Sequence, residues 1–252
     1  MESIKLKKGK FALEVITMKI KTNLLFIGVG LWVLLLTSCF DDSSSANEPT
    51  DTFDAAVVCP VDGMNAYGEP NRGTFTDARD GQVYKYTTIG NQVWMAENLK
   101  FDAPYSLCYD KTDGYCDTFG RFYSLHEDGE YQGLFDQELL DTICPIGWHV
   151  PSVEEWTQLA ESMGGLEKAV SRLSSSDSFG PRYLPGSNDC DFSSLPAGYW
   201  LMDGNLSFEY ELSLYWTSVA HDMDFSYSCV FDLDGFNFGW THPKMSIRCL
   251  KD

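Results

Sequence analysis

The chain contains 252 residues, of which 37 are acidic and 18 are basic, so that its formal net charge at pH 7 is −19. This charge argues against nucleic acid or an anionic lipid surface as a partner, because both would repel the protein. The length is enough for one domain with a substantial core behind an N-terminal leader.

Residues 1–38 have the layout of a bacterial lipoprotein signal peptide. An uncharged apolar run, Leu24–Leu36, follows the basic residues Lys19 and Lys21. The run is shorter than the roughly 20 residues that cross a hydrocarbon core as a helix, and it has the length of a signal-peptide apolar region. The same layout is complete from Met18 onward, which makes Met18 an alternative start.

The apolar run ends in LTSC, Leu36–Cys39, which resembles a lipobox. In a lipobox the cysteine is acylated and becomes the first residue of the mature protein. The motif therefore predicts a membrane anchor at Cys39 and an exported lipoprotein at the outer membrane or cell surface. An ordinary signal peptide that happens to end near a cysteine is the alternative.

Residues 39–57 are acidic and serine-rich, with little apolar content. Such a segment cannot bury enough surface to fold alone, so it is predicted to be a flexible tether. The folded domain is then expected to cover residues 58–252.

The first third of this domain is predicted to form hairpins. The turn-forming pairs Asp80-Gly81 and Gly90-Asn91 flank residues 83–88, where two sets of side chains alternate along the chain. A period of two between such turns is typical of a strand.

Two short helices are predicted next. Apolar residues recur at near-helical spacing over 134–143. The second helix begins at Ser152, which forms a capping box with Glu155, and ends at Gly164-Gly165. Its inner face is expected to carry Trp156, Leu159 and Met163.

His149 lies in the extended segment just before the second helix. One interpretation is a catalytic histidine that pairs with Cys144 or with a nearby glutamate. The other is a scaffold in which Trp148 and Val150 face the core and His149 faces away. We favour the scaffold, because a catalytic set needs three groups within hydrogen-bond reach.

The last third combines an irregular region with strands. Residues 171–213 are rich in Ser, Gly, Pro and Asp without a clear period, and long loops of this kind are usually functional. Four strands are predicted after it, at 213–220, 226–233, 236–240 and 245–250.

Seven cysteines remain besides Cys39, and an exported chain lies where disulfides persist. Cys108 and Cys116 flank an Asp-Gly turn, which predicts a local disulfide. An odd number leaves at least one cysteine without a partner in the chain. The chain has no CxxC spacing and its four histidines are scattered, so no zinc site is expected.

Six blocks carry a resemblance to a known family: FTDARDGQVYKYTTIGNQVWMAENLKF, GRFYSL, CPIGWHVPSVEEWTQL, FSSLPAGY, YWTSV and SIRCLKD. In this order they resemble the Fibrobacter succinogenes major paralogous domain, found mostly in surface lipoproteins, over Thr74–Asp252. That family is in turn similar to the C-type lectin-like fold, which includes formylglycine-generating enzymes. The resemblance implies an α+β domain with two short helices, small antiparallel sheets and a long irregular loop region.

The lectin-like pattern also implies a disulfide between Cys144, at the end of the first helix, and Cys249, in the last strand. Closing a loop of about 100 residues contributes on the order of 4 to 5 kcal/mol in the chain-entropy model. Cys190 and Cys229 are then the expected third pair, which leaves Cys59 alone.

Calcium is considered because some lectins of this fold bind sugars through it. The triplet Glu69-Pro70-Asn71 has the right composition, but it precedes the hairpins and no Trp-Asn-Asp follows, so we interpret it as a turn. Asp177, Asp189 and Asp191 in the irregular region remain candidate oxygen ligands. No cofactor is otherwise expected.

Aromatic residues are the better candidates for binding. Rings crowd the last quarter of the chain, and exposed rings can stack on the faces of sugars. The sequence therefore predicts a non-catalytic surface module that binds plant polysaccharide or surface glycan. Its ligand-binding candidates are Trp200, Tyr210, Tyr227 and Trp240.

Two other functions are retained. The first is a protein–protein adhesion or structural surface module. The second is an oxidase of the formylglycine-generating type, whose chemistry needs two cysteines that bind copper. Cys229 lies in the matching half of the chain without a second thiol at a matching position, so an enzyme is not expected.

Overall fold

The computed structural model describes residues 51–109, 114–125, 136–177, 179, 185–201, 205–207, 211–222, 225–232, 235–240 and 244–252. For residues 219–222, 225–227, 232, 235 and 239–240 it describes the backbone alone. The predicted signal peptide, Cys39, the first part of the predicted tether and Tyr210 lie outside the described residues.

Five helices and ten strands lie in the described part of the chain. The helices are α1 Ala55–Val58, α2 Tyr115–Phe119, α3 Gln137–Thr142, α4 Val153–Ser162 and α5 Leu166–Leu173. The strands are β1 Arg72–Thr76, β2 Val83–Ile89, β3 Gln92–Met95, β4 Trp148–His149, β5 Tyr199–Trp200, β6 Leu206–Ser207, β7 Ser213–Asp222, β8 Phe225–Asp232, β9 Gly235–Trp240 and β10 Leu250–Lys251.

The domain is α+β, with short helices and small antiparallel sheets. The largest sheet has the order β1-β2-β3-β10-β4, and the other two are β5-β6 and β7-β8-β9. The predicted hairpin is confirmed, since β2 and β3 pair antiparallel across the turn at residues 90–91. Within the described residues, no helix combines the length and the apolar character that crossing a membrane requires.

β3 is buried on both faces because it lies between two hydrophobic clusters. Val93 and Met95 belong to one cluster, and Trp94 belongs to the other. In the second cluster Trp94 packs against Trp156 of α4, with ring centroids 4.6 Å apart. The central part of the large sheet is therefore internal, with one hydrophobic cluster on each face.

α4 follows the sequence prediction closely. The Ser152 side chain accepts the Glu155 N–H, and the Glu155 carboxylate accepts the Ser152 N–H, so the capping box is present. Trp156, Leu159 and Met163 are all fully buried. The expectation of only two helices was wrong. The paired glycines end α4, but α5 begins immediately after them, because Gly164 and Gly165 adopt positive φ values of 89° and 98° that turn the chain into a new helix.

Two of the expected disulfides are confirmed, Cys108–Cys116 and Cys144–Cys249. The third expected pair was wrong. Cys190 bonds to Cys59, which is 131 residues away in sequence, and Cys229 is a buried free thiol. The prediction failed because no feature of the sequence indicates which two of Cys59, Cys190 and Cys229 would meet.

The end of the predicted tether is part of the domain. The Asp51 carboxylate pairs with Arg172 and Lys168. Phe53 lies under the guanidinium of Arg172, 4.1 Å from the ring centroid to Cζ. Asp54 caps α1 by accepting the Ala56 N–H. The folded part therefore begins at least seven residues before the expected boundary at residue 58. The ion pairs and the ring contact anchor this segment although its composition is polar.

Arg248 is the largest buried charged side chain, with no exposed surface. Its guanidinium donates to Asn98 Oδ1 and to the carbonyl oxygens of Phe192 and Ser193. It also lies over the ring of Phe192, 4.6 Å from the centroid. No described carboxylate forms an ion pair with it, so neutral oxygens and an aromatic face satisfy this buried cation.

Replacing Arg248 with methionine is expected to destabilise the domain by at least about 3 kcal/mol. The methionine fills similar space but leaves buried oxygens without their charged donor, at about 1–3 kcal/mol each. Arg121→Met is the matched control, because Arg121 pairs with the well exposed Asp102 and such pairs contribute less than about 1 kcal/mol. Urea denaturation measures both free energies of unfolding. Equal losses for the two variants would contradict this account of Arg248.

Candidate binding surface

Trp200 is the predicted ligand-binding residue whose side chain the structure describes. It lies in β5, and its backbone N–H donates to the Lys244 carbonyl oxygen over 3.0 Å. Its indole is half-buried and packs against a small cluster of buried residues that includes Phe122. Because β5 pairs with the two-residue strand β6, the indole is held on regular backbone and not on a free loop.

Two tyrosines are linked to Trp200, one by a ring contact and one through Lys244. The half-buried Tyr109 ring meets the Trp200 ring edge-on, with centroids 5.9 Å apart. Tyr105 is 47% exposed, and its carbonyl oxygen accepts a hydrogen bond from Lys244 Nζ over 3.2 Å. We call these four residues, Tyr105, Tyr109, Trp200 and Lys244, the Trp200 surface.

The base of the Trp200 surface is rigid. Tyr109 follows directly on Cys108, whose disulfide to Cys116 ties the loop to α2. Beneath it, Tyr115 donates its hydroxyl to the Ala197 carbonyl oxygen over 2.9 Å, which joins α2 to the chain that leads into β5. An aromatic surface held in this way loses little conformational entropy on binding.

Sequence reasoning missed Tyr105, Tyr109 and Lys244 because they come from loops far apart in the chain. A local signal existed for Tyr109, since an aromatic residue inside a small disulfide loop is held near the surface. Tyr105 has a φ of 59°, in the left-handed region that residues other than glycine rarely occupy. Backbone strain of this kind is found more often at functional sites.

The remaining aromatic candidates are placed only in part. Tyr227 of β8 and Trp240 of β9 are direct partners in the antiparallel register. Their side chains are not described, and Tyr210 lies outside the described residues. The structure therefore brings the backbones of Tyr227 and Trp240 together across the β8–β9 pair.

The three candidate calcium ligands do not share a site. Asp191 forms an ion pair with Arg72, and Asp189 lies 3.9 Å from Arg172. The backbone N–H of Asp177 donates to Ser175 Oγ over 3.2 Å. In the described ranges, no group of three or more His, Cys, Asp or Glu residues could hold a metal ion.

The triplet Glu69-Pro70-Asn71 was expected to form a turn, but it lies just after one: the Gly68 N–H donates to the Asn65 carbonyl oxygen over 3.0 Å, and Pro70 forms an antiparallel bridge with Met64. The Glu69 N–H donates to Asn65 Oδ1 over 3.1 Å, and the Glu69 carboxylate pairs with Lys251 over 2.8 Å. Asn71 is only 5% exposed. The acidic oxygen of the triplet thus has a lysine partner inside the fold.

His149 is held between two carboxylates. Its Nδ1 lies 2.7 Å from Asp252 Oδ1, and its Nε2 lies 3.0 Å from Glu155 Oε1. Glu155 uses its other oxygen for the capping box. These hydrogen bonds, led by the one to Glu155, raise the pKa of His149 above its ordinary value. Cys144 is in a disulfide, so it has no thiolate to pair with the imidazole.

One family model matches the chain. It is described as the Fibrobacter succinogenes major domain, and the match covers residues 87–251. This span includes the Trp200 surface, the His149 segment and the disulfide Cys144–Cys249. The family inferred from the sequence blocks is thereby confirmed. No curated protein and no solved structure matches the chain significantly.

The hydrogen bonds of His149 to Asp252 and Glu155 predict how the stability of the fold depends on pH. An unfolded histidine has a pKa of about 6.5, and folding raises the pKa of His149. The stabilisation is therefore fully present below about pH 6.5 and is lost as the pH rises through the folded-state pKa. The pKa of Glu155 is lowered by its hydrogen bonds to His149 and Ser152, which outweigh desolvation. The contribution of Glu155 to the stability of the fold is therefore lost only in more acidic solution, below about pH 4.3.

The test compares the melting temperatures of the wild type and His149→Gln, which keeps a polar side chain without the charge. The difference between the two should be largest between about pH 4.5 and 6.5 and should shrink by about pH 8.5. A difference that stays constant over this range would show that the charge of His149 does not stabilise the fold.

Proposed function

The chain belongs to the Fibrobacter succinogenes major domain family, and from this premise we propose that it is a non-catalytic, lipid-anchored binding module of the cell surface. Its ligand is a neutral plant polysaccharide or surface glycan, and the ligand binds at the Trp200 surface. The lipid at Cys39 holds the module at the outer membrane or cell surface.

The arrangement of Trp200 carries this proposal. Its half-buried indole contacts Tyr109. The exposed Tyr105 is joined to it through Lys244, whose carbonyl oxygen accepts the Trp200 N–H and whose Nζ donates to the Tyr105 carbonyl oxygen. Aromatic side chains combine a flat apolar face with a polar edge, and they contribute strongly to recognition when they are rigidly held. The formal charge of −19 favours neutral polymers over polyanions, because anionic chains would be repelled.

We also propose a C-type lectin-like arrangement for the domain. Two observations support it. Cys144 directly after α3 is joined to Cys249 before β10, and β10 pairs antiparallel with β4. The order helix, extended segment, second helix and returning strand is the order that the resemblance implies.

A non-catalytic role is supported by how the reactive side chains are used. Every described cysteine except Cys229 is in a disulfide, and Cys229 is completely buried. Burial in an apolar environment raises the pKa of its thiol far above the ordinary value, which keeps it protonated. An oxidase of the formylglycine-generating type needs two accessible thiols, and the described residues offer none.

The binding proposal is tested with the full-length lipoprotein in mild detergent, by pull-down on insoluble cellulose and xylan and on a glycan array. Trp200→Ala is expected to weaken binding by about tenfold or more, the effect of removing an aromatic anchor. Tyr105→Ala, at an exposed position, should weaken it several-fold without affecting the melting temperature.

Tyr67→Ala is the matched control, because Tyr67 is 44% exposed and lies outside the Trp200 surface. It should bind like the wild type. Wild-type binding by folded Trp200→Ala and Tyr105→Ala variants would refute the Trp200 surface as the site. Binding to surface proteins but to no polysaccharide would instead identify an adhesion module.

A further inference from the structure

A second surface is marked by exposed apolar side chains near the start of the folded domain. Among the described residues, eight large hydrophobic side chains are exposed, and four of them belong to the short stretch from Val57 to Tyr67. In this stretch Val57, Val61 and Met64 are 75%, 64% and 63% exposed. Single exposed apolar residues are normal on a protein, but a concentration of them indicates an interaction surface.

These side chains are neighbours in the fold. Val57 and Met64 line a cavity of about 250 Å³, and Val61 lines a cavity of about 420 Å³. Pro60 lines both, so the two cavities adjoin. We call the four residues Val57, Pro60, Val61 and Met64 the Val57 surface. It shares no residue with the Trp200 surface.

The backbone beneath the Val57 surface is held in place. Cys59 is in a disulfide, and the Gly90 N–H donates to the Val58 carbonyl oxygen over 2.7 Å. Met64 forms an antiparallel bridge with Pro70. The apolar side chains are therefore presented to solvent on a preformed frame, so covering them costs little conformational entropy.

A sugar is poorly matched to the Val57 surface, because none of its four residues is aromatic. Tyr67, which follows in sequence, donates its hydroxyl to the Lys251 carbonyl oxygen over 3.4 Å. The Lys251 ammonium group lies 5.2 Å from the centroid of the Tyr67 ring. This ring is thus engaged within the fold, and the surface lacks the free aromatic face on which a sugar would stack.

A second protein molecule is also poorly matched, because the surface is small. Stable protein interfaces involve roughly 20–30 residues on each side, whereas the Val57 surface has four. Exposed acidic residues lie beside these four in sequence, Asp54 before Val57 and Asp62 directly after Val61. Two copies would bring these like charges together, which opposes association.

The place of the surface in the chain indicates a third occupant. The lipid anchor at Cys39 precedes Asp51, where the described part of the chain begins, by a segment that spans at most about 43 Å even when fully extended. The anchor therefore keeps the start of the domain near the bilayer, and the Val57 surface follows Asp51 closely in sequence. Tethering makes a contact with the bilayer intramolecular, so a small apolar surface is sufficient for it.

We propose that the Val57 surface docks on the leaflet that holds the anchor, with Val57, Val61 and Met64 inserted among the uppermost acyl carbons of neutral phospholipids. This inference rests on the lipid anchor of the proposed function. Asp54 and Asp62 then lie at the level of the headgroups. The formal charge of −19 favours neutral over anionic lipids, because anionic headgroups repel the chain. Docking orients the domain and fixes which of its faces points away from the membrane.

The experiment uses the full-length lipoprotein in phosphatidylcholine nanodiscs, with isotope-labelled methyl groups on valine and methionine. Part of the lipid carries a nitroxide on the upper acyl chain, which broadens the NMR signals of nearby methyl groups. The signals of Val57, Val61 and Met64 should be lost, and they should return when ascorbate reduces the nitroxide. Val83 is the internal reference and should keep its signals. It is 58% exposed but lies at the end of β2 far from Gly90, roughly 20 Å along the strand.

The double variant Val57→Ser/Met64→Ser tests the apolar contact. It should restore the Val61 methyl signals, because the remaining surface is too small to hold the domain on the leaflet. Its melting temperature should match that of the wild type, since both side chains are mostly exposed. Val83→Ser is the matched control, in which another exposed valine is replaced in the same way, and the Val61 signals should stay lost in it.

Two results with the nitroxide lipid would overturn the docking: equal broadening of Val61 and Val83 in the wild type, or loss of the Val61 signals in the double variant. Concentration-dependent shifts of the Val57, Val61 and Met64 methyl groups in detergent would identify a second copy as the occupant and would overturn it as well.

Mass spectrometry of the segment with Cys39 separates this inference from the proposed function. A chain without acyl groups would refute the anchor and the docking together, whereas an acylated chain that does not dock would refute the docking alone. In detergent the double variant should bind polysaccharide like the wild type, because it leaves the Trp200 surface unchanged.

Discussion

A guanidinium group that is removed from water must have its donors satisfied, because an unsatisfied buried charge costs several kcal/mol. Arg248 meets this requirement with Asn98 Oδ1 and the carbonyl oxygens of Phe192 and Ser193. These two carbonyls belong to a stretch without regular secondary structure, where backbone oxygens have no strand or helix partner. The buried cation thus supplies to an irregular segment the hydrogen bonds that a sheet would otherwise supply.

The need to satisfy buried polar groups also affects the course of the chain from Ser193 toward Trp200. Directly after Ser193, the Ser194 hydroxyl is within hydrogen-bond distance of Ser213 Oγ and of the Tyr215 hydroxyl, at 3.1 and 2.9 Å. The Gly198 N–H then donates to the Leu212 carbonyl oxygen over 2.9 Å. Buried polar contacts and the packing of Phe192 and Ala197 in the hydrophobic clusters together lead this segment into β5. The position of the indole therefore depends on contacts that begin at Arg248 and continue along this segment.

Features with local causes could be predicted from the sequence. The β2–β3 hairpin follows from its turn residues, and the start of α4 follows from Ser152 and Glu155, because the atoms that define them are only a few residues apart. The disulfide Cys144–Cys249 was available only through the resemblance to a family. The pairing of Cys59 with Cys190 was not predictable, because the two cysteines are 131 residues apart in sequence and no local motif indicates which thiols meet.

The candidate sites show the same division. Trp200 could be singled out by its residue type and its place after a recognisable block, but Tyr105, Tyr109 and Lys244 meet it only in three dimensions.

The disulfide Cys59–Cys190 joins the N-terminal segment of the domain to the segment that leads toward the Trp200 surface. Cys59 lies between Val58 and Pro60, which line a cavity of about 250 Å³. Cys190 lies two residues before Phe192, whose carbonyl oxygen accepts a hydrogen bond from Arg248. The bond therefore joins the wall of this cavity to the segment that leads to Trp200. In the folded domain the bond anchors the segment around Cys59, in addition to the ion pairs of Asp51 with Lys168 and Arg172. The segment around Cys59 precedes the family match at residues 87–251, whereas the Trp200 surface lies within it, so this bond joins a part of the chain outside the match to the part inside it.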